Sequence, residues 1–459
     1  MKRSVVVLGF ILAACSGATS APTTTVTDVD TTRFVAPTTT TPNVLVEVQS
    51  CASPPVTFGP LCEIYDLLET WYVDAPVDPQ ALAGVALRGL EDYVTSETAE
   101  PPRTLFCAIP DPAFTGLCDE LATQVEESRV PVGAAVEAAV SHMVDVGLDP
   151  FTYYLPPGQT DAFRLNGIVG GIGVLLDARD AIGSKCTTVT ETCRLEIVVV
   201  LEENAGFEAG LQAGDLITAV DGQAVDGRGF TAIVSQIAGD ESGTLELSVD
   251  RDGEPMEFTI ERAELSVPTV EYGVPFAGVG YIRIPDFEFD IPELVTDSLE
   301  EVLATNPSTL VVDLRDNPGG YVDAFVEVAD EFVDGGIVMV SDAPGEHLEY
   351  EADSGGLATG PRLLVLVNKG TASAAEILAG ALRDRRDALI LGSTTFGKDA
   401  VQIPFTLRNG GEFYVAVARW STPEGDTVAN GGLTPDREIT WPVVATVEEI
   451  VEIAMDAAS

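Results

Sequence analysis

Histidine and lysine are the scarce side chains in this sequence: the 459 residues include two histidines, His142 and His347, and lysine stands only at positions 2, 185, 369 and 398. The histidines are isolated, and neither C-x-x-C nor H-E-x-x-H occurs, which excludes the usual zinc ligand sets and leaves no reason to expect a metal or an organic cofactor. The G-x-S-x-G elbow and the S-x-x-K pair are missing too, so two common serine-hydrolase plans drop out. Basic residues are few overall. With 24 Lys and Arg against 73 Asp and Glu, the net charge is −49, which repels phosphate backbones and anionic headgroups. Nucleic-acid binding and electrostatic docking on a membrane are therefore poor fits. After the first residues, no apolar run is long enough to span a bilayer.

What is present is a 46% hydrophobic composition, that of a globular chain with real cores, and a length suited to about three domains. Lys2 and Arg3 precede the short apolar run Val5 to Ala14, the pattern of an export signal. The run ends at Leu12-Ala13-Ala14-Cys15, which resembles the lipobox of bacterial lipoproteins and makes Cys15 the expected lipidation site. The alternative is an ordinary signal peptide that takes Cys15 with it. Six further cysteines fall into close couples, Cys51 with Cys62, Cys107 with Cys118 and Cys186 with Cys193. An even number in an exported chain favours disulfides, and local pairing is the simplest choice among the connectivities that remain open.

Residues 16–49 are rich in Thr and Pro without helical periodicity and read as a tether. Helical spacing follows in Ile64, Leu67, Leu68 and Trp71, then in Leu82, Val85, Ala86 and Leu90, and again over about 132–146. Residues 167–263 hold a Gly-rich entry, a strand at 195–200, a helix through Phe230, Ile233 and Ile237, and two alternating strands joined at Asp252-Gly253. Asp-Gly between alternating strands is a strong hairpin signal. From about 265 to 440, apolar strands at 279–284, 310–314, 363–367, 389–391 and 413–418 alternate with helical stretches, which implies a mixed α/β core. A final helix is expected within 443–457.

Ser373 follows the apolar run Leu363 to Val367 and a turn, and it opens a helix with Ala374, Ile377, Leu378 and Ala381 on its apolar face. Ser-x-x-Glu to Glu376 is also a plain capping box. One strand later, the turn Thr395-Phe396-Gly397-Lys398 carries one of the few lysines beside an apolar residue. A serine hydroxyl needs a base, and a desolvated lysine can serve. A histidine base would have to be His142, in a helical stretch, or His347, in a polar loop.

The ordered set Gly170-Gly171-Ile172-Gly173, Ala209-Gly210-Leu211-Gln212-Ala213-Gly214-Asp215, Asp313-Leu314-Arg315-Asp316-Asn317-Pro318-Gly319-Gly320, Ala372-Ser373-Ala374, Phe396-Gly397-Lys398 and Val401-Gln402 resembles the C-terminal processing (tail-specific) peptidases. Leu148-Asp149-Pro150-Phe151 and Leu433-Thr434-Pro435-Asp436 extend the likeness over about 60–440. The resemblance implies a serine endopeptidase with Ser373 as nucleophile, Lys398 as general base and Gln402 orienting the lysine. It also implies an oxyanion hole at the backbone N–H groups of Gly319 and Ala374. It makes the β-rich module a PDZ domain in which Gly170, Gly171, Ile172 and Gly173 take the carboxylate of a protein or peptide C-terminal tail, a use of converging backbone donors. Asp399 stands where relatives usually have glycine; a carboxylate facing the amine would keep it charged and oppose base function, whereas strand alternation permits the side chain to point away, which would leave the effect small.

Together these readings give an α+β multidomain chain. Its expected parts are a lipoprotein signal over 1–15, a tether over 16–49, a helical N-terminal domain over 50–165, a PDZ domain over 166–264, and a mixed α/β, ClpP/crotonase-like peptidase core over 265–459. The expected location is extracytoplasmic, on the bacterial cell membrane through the lipid on Cys15. Two rivals remain: a catalytically silent PDZ lipoprotein presenting tails to another protease, and a histidine-dependent hydrolase.

Overall fold

The structure, a computed structural model, describes residues 59–98, 131–157, 168–169, 172–180, 188–201, 204–238, 243–263, 269–429, 431–442 and 445–459. The elements in chain order begin with α1 (Gly59–Trp71), α2 (Pro79–Thr98), α3 (Val132–Gly147) and β1 (Tyr153–Leu155). The β-rich module holds β2 (Ile168–Val169), β3 (Val174–Asp180), β4 (Cys193–Val200), α4 (Ala205–Ala209), β5 (Leu216–Val220), β6 (Gln223–Ala224), α5 (Phe230–Ala238), β7 (Gly243–Arg251) and β8 (Glu254–Arg262). Next come β9 (Glu271–Phe276), β10 (Val279–Arg283), α6 (Ile291–Leu303), β11 (Thr309–Asp313), α7 (Val322–Phe332), β12 (Gly336–Ala343), β13 (Glu346–Ala352) and β14 (Arg362–Val367). The chain closes with α8 (Ala374–Arg386), β15 (Leu389–Gly392), β16 (Ala400–Thr406), β17 (Glu412–Ser421), β18 (Arg437–Glu438) and α9 (Val447–Ala457).

The sheet that carries the candidate site has the order β18-β15-β14-β11-β10-β9 and is parallel except at β9. Its central strands are apolar over most of their length because both faces are covered. Along β14, Leu363, Val365 and Val367 enter a cluster with α6, α7 and α8, while Leu364 and Leu366 enter one with α9. Each of these fully buried side chains contributes roughly 2 kcal/mol by leaving water. The loops at the carboxyl ends of such strands are where parallel sheets place their sites.

A second, antiparallel sheet runs β1-β17-β12-β13, with β16 beside β17. Helices α1 to α3 share one apolar cluster with this sheet, joining Leu61, Leu68, Leu90 and Val140 to Phe405, Phe413 and Val415. The N-terminal helices are thus built onto the β16–β17 layer. The β-rich module has the order β2-β3-β4-β5-β7-β8 and its own core. Its β7–β8 hairpin turns at Asp252 and Gly253, with φ of +55° and +89°, the doubly left-handed turn that the Asp-Gly pair favours. The module meets the part built on the first sheet where Lys369 Nζ reaches Glu196 Oε1 at 3.3 Å. Gly370 approaches β4 so closely that a Cβ would lie 2.4 Å from Val199 Cγ2.

Cys193 is disulfide-bonded. Cys186, Cys51, Cys107 and Cys118 lie outside the described residues, as do Cys15 and the tether; Cys62 falls within α1. Among the described residues, no helix is long and apolar enough to cross a membrane, and no cluster of three or more His, Cys, Asp or Glu could hold a metal ion.

Candidate active site

Two turns at neighbouring strand ends build the site. After β11 the chain runs Leu314-Arg315-Asp316-Asn317-Pro318-Gly319-Gly320, and after β14 it runs Asn368-Lys369-Gly370-Thr371-Ala372-Ser373. Polar side chains tie them together. Asn368 Nδ2 donates to Asp316 Oδ1 at 2.8 Å, Thr371 Oγ1 donates to Leu314 O at 2.8 Å, and the Ala372 N–H donates to Asn317 O at 2.9 Å. Beneath them, buried Asp313 accepts from Arg315 at 2.6 Å and from the Tyr281 hydroxyl at 2.9 Å. Burial alone would raise the Asp313 carboxyl, but Arg315 and Arg283 outweigh it and hold the group below the ordinary carboxylate value.

Ser373 stands immediately before α8 with φ +53° and ψ −122°, a left-handed backbone that a side-chain-bearing residue adopts only where its surroundings enforce it. Its neighbour across the gap is Gly319, at φ +99°. A Cβ on Gly319 would meet Ser373 Cβ at 2.7 Å, Ala372 O at 2.9 Å and Ala374 N at 3.0 Å, so only glycine allows the turn this close. The structure therefore brings Ser373, Ala374 and Gly319 together. The Gly319 N–H donates to Asn317 Oδ1 at 2.8 Å, and Asn317 Nδ2 in turn donates to Ile284 O at 2.9 Å. Any acceptor that approaches the Gly319 N–H therefore competes with Asn317 for it.

Glu376 does more than the capping box asks. Its Oε2 accepts from the Ser373 N–H and from the Lys398 N–H, each at 2.9 Å, so the two amide nitrogens lie at most twice that distance apart. Its Oε1 accepts from the Gly397 N–H at 2.8 Å and from Thr395 Oγ1, which itself accepts from the Leu433 N–H at 2.6 Å. Burial pushes the Glu376 carboxyl up, and these four donors oppose that push. Glu376 joins the Ser373 turn to the Thr395–Lys398 turn, a link that capping logic leaves unread. Its signal was an acid within the continuous apolar stretch Ala374-Ala375-Glu376-Ile377-Leu378.

Lys398 follows β15, and its carbonyl accepts from Trp420 Nε1 at 2.8 Å. The next carboxylate, Asp399, is buried and turned to Arg419, whose Nη1 stands 3.1 Å from Oδ1. Gln402, on β16, donates through Nε2 to the Phe151 carbonyl. Of the Gly-rich entry, Gly170 and Gly171 lie outside the described residues. Ile172 is fully buried, and its carbonyl accepts from the Gly206 N–H at 2.9 Å; Gly173 has φ +70° and packs on Asn204. His142 packs against Gly89 of α2, and His347 sits exposed with Nδ1 2.6 Å from Asp342 Oδ1. Among the described residues neither histidine is hydrogen-bonded to Ser373.

The segment that flanks the Gly319 turn carries two perturbed acids. Burial, and then repulsion from Asp290, pushes Asp286 up to about 6; burial, and then Asp286 and Asp290, pushes Glu288 up to about 7. The native state therefore binds these protons more tightly than the unfolded chain does. The stability they contribute is complete below the ordinary carboxylate range and is lost as pH rises toward 7. Glu288→Gln is expected to raise Tm relative to wild type near pH 8 by roughly two degrees, allowing for the half-exposure of Glu288. Near pH 4 the two should melt together. Thermal unfolding followed by circular dichroism checks this, and an equal gain at both pH values would contradict it.

The fold of the molecule is similar to that of a known peptidase. The solved photosystem II D1 C-terminal processing protease superposes with a TM-score of 0.63 and 25% identity, covering 88% of this chain and 98% of that one. Residues 278–439 match peptidase family S41. The C-terminal processing peptidase, chloroplastic, of Tetradesmus obliquus is 31% identical over 329 residues, 67% of this chain and 68% of that protein. The carboxyl-terminal-processing peptidase 2, chloroplastic, of Arabidopsis thaliana is 32% identical over 313 residues, 66% of this chain. The chain belongs to peptidase family S41, and the resemblance read from its motifs holds. It spans about three fifths of the length of the Arabidopsis relative, 60%.

Proposed function

We propose that this chain is an exported, lipid-anchored serine endopeptidase that takes the C-terminal tails of proteins and hydrolyses their peptide bonds with Ser373 and Lys398. The observation that carries the proposal is the positive-φ Ser373 packed on Gly319, with its amide and that of Lys398 held on one Glu376 oxygen. The names of the two chloroplast relatives supply the reaction class, C-terminal processing.

In this mechanism Ser373 Oγ attacks the scissile carbonyl and Lys398 Nζ takes the hydroxyl proton. The tetrahedral oxyanion draws on the N–H groups of Ala374 and Gly319, the latter taken over from Asn317, where the start of α8 favours negative charge. Lys398 returns the proton to the leaving amine; water, deprotonated in turn by Lys398 Nζ, then adds to the acyl carbonyl, and Ser373 Oγ leaves with that proton. With Nε2 of Gln402 given to Phe151, its Oε1 is the end able to accept from an ammonium and orient it.

Residues 166–264 act as a PDZ domain in this proposal, an extended tail adding to the sheet while the Gly170 to Gly173 loop receives its carboxylate. Export and anchoring rest on Leu12-Ala13-Ala14-Cys15.

The test is cleavage of an unfolded protein with an apolar C-terminus by the chain from about Val44 onward, wild type against Ser373→Ala. Both are expected to bind the tail, and only wild type is expected to cut. Binding by both with cutting by neither would replace the peptidase with a tail-presenting scaffold.

A further inference from the structure

We propose that Phe289 and Tyr321 form the seat for an apolar side chain of the substrate next to the scissile bond, an inference that rests on the peptidase reading of Ser373. The two rings stack with centroids 4.0 Å apart and planes 20° apart. Phe289 is nevertheless 66% exposed and Tyr321 45% exposed, the former the most exposed large apolar side chain among the described residues. Stacking covers one face of each ring and leaves the others to water, a poor use of two aromatics unless something else covers them.

Their place in the chain says what does. Phe287 and Gly320 pair as a parallel bridge; the Phe287 N–H donates to Gly319 O at 2.9 Å, and the Tyr321 N–H donates to Phe287 O at 2.9 Å. A Cβ on Gly320 would lie 2.5 Å from Phe287 O, so the turn facing Ser373 is pressed onto this segment. Phe287 points inward, fully buried and edge-on to Phe325 with centroids 6.4 Å apart. Phe289, two residues on, faces out. Tyr321 is two residues beyond Gly319. An extended substrate whose carbonyl reaches Gly319 advances about 3.3 Å per residue, which brings a neighbouring side chain within reach of the rings.

Local structure gives neither aromatic another task. Tyr321 occupies the N-cap of α7, where Ser, Thr, Asp or Asn would serve and where no side-chain cap forms. Phe289 precedes the Asp290 N-cap of α6 yet stacks on the residue that opens a different helix. The occupant is defined by charge as well. Asp286, Glu288 and Asp290 lie along the same segment, and Glu288 acts electrostatically on Tyr321. An acidic side chain is repelled here, whereas Leu or Phe gains contact with the rings.

The experiment uses the full chain carrying Ser373→Ala and a set of fluorescent peptides with one fixed C-terminal tail. A single Leu is moved through an otherwise Ala-rich body, and a parallel set carries Glu. The expected result is about tenfold tighter binding when Leu occupies one or two particular positions, and weakening when Glu does. Adding Phe289→Ala or Tyr321→Ala should flatten the Leu preference while affinity for the shared tail stays, and Phe289→Tyr should restore it. With Ser373 in place, the same preference should appear in KM with little change in kcat. A Leu preference that survives both alanine variants overturns the proposal, as does binding without any positional preference or no binding at all. Wild type that binds with the preference and never cuts would sink the peptidase reading and leave the seat standing.

Discussion

Lys398→Met is expected to lower kcat/KM for peptide hydrolysis by at least about 10³-fold while the chain stays folded. The substitution keeps an unbranched stem and removes the amine, so it deletes the proton acceptor of the proposed mechanism. It leaves the backbone contacts alone, since the N–H of residue 398 still donates to Glu376 Oε2 and its carbonyl still accepts from Trp420 Nε1. A lost fold would therefore not be the cause of a lost rate. In the proposed mechanism the charge of Asp399 beside Lys398 is offset by Arg419, whose Nη1 stands 3.1 Å from its carboxylate. The measurement is steady-state cleavage together with thermal unfolding. A folded variant cutting at the wild-type rate would remove Lys398 from the mechanism and return His142 and His347 to consideration.

Gly319→Ala is expected to lower kcat by about 10²- to 10³-fold with KM little changed, the pattern of a lost oxyanion donor. At φ +99° an alanine is strained, by about 1–2 kcal/mol, before it meets anything. Its methyl would then sit 2.7 Å from Ser373 Cβ and 3.0 Å from Ala374 N. Both neighbours belong to the proposed chemistry, so relief moves either the nucleophile or the donor. An N–H displaced by even part of an ångström no longer points at the developing charge. A kcat within threefold of wild type, on a chain that folds, would show that the Gly319 N–H is not an oxyanion donor and that Asn317 keeps it throughout.

The strands of the parallel sheet were legible because burial on both faces writes itself as an uninterrupted apolar run, as in Leu363 to Val367. The Asp252-Gly253 turn was legible because few sequences tolerate two consecutive left-handed residues. The second sheet was much less so. Strand β13 alternates His347, Glu349 and Glu351 with Leu348, Tyr350 and Ala352, a signal weakened by its polar face. Pairing of Tyr153 with Tyr414 is a long-range event that no local pattern encodes. The shared core of α1 to α3 with β16 and β17 was hidden for the same reason.

At the site, residue types and order pointed to Ser373, Lys398 and Gly319, while the polar framework stayed out of sight. Capping logic assigned Glu376 one local bond, whereas its bonds to Gly397 and Lys398 cross from α8 to another turn. Likewise nothing in Asn317-Pro318-Gly319-Gly320 announces that Asn317 spends its oxygen on Gly319. Such bonds depend on which turns meet, and only the assembled sheet decides that.

The candidate groups stand at the ends of three separate strands, with Gly319 after β11, Ser373 after β14 and Lys398 after β15. Those strands pair side by side only after the intervening helices have crossed over and packed. No shorter stretch of the core contains the arrangement, and two of its turns share the Glu376 carboxylate. On the proposed mechanism a newly made copy would be inert toward its siblings until its own sheet has closed, and a damaged one would disarm itself as that sheet opens.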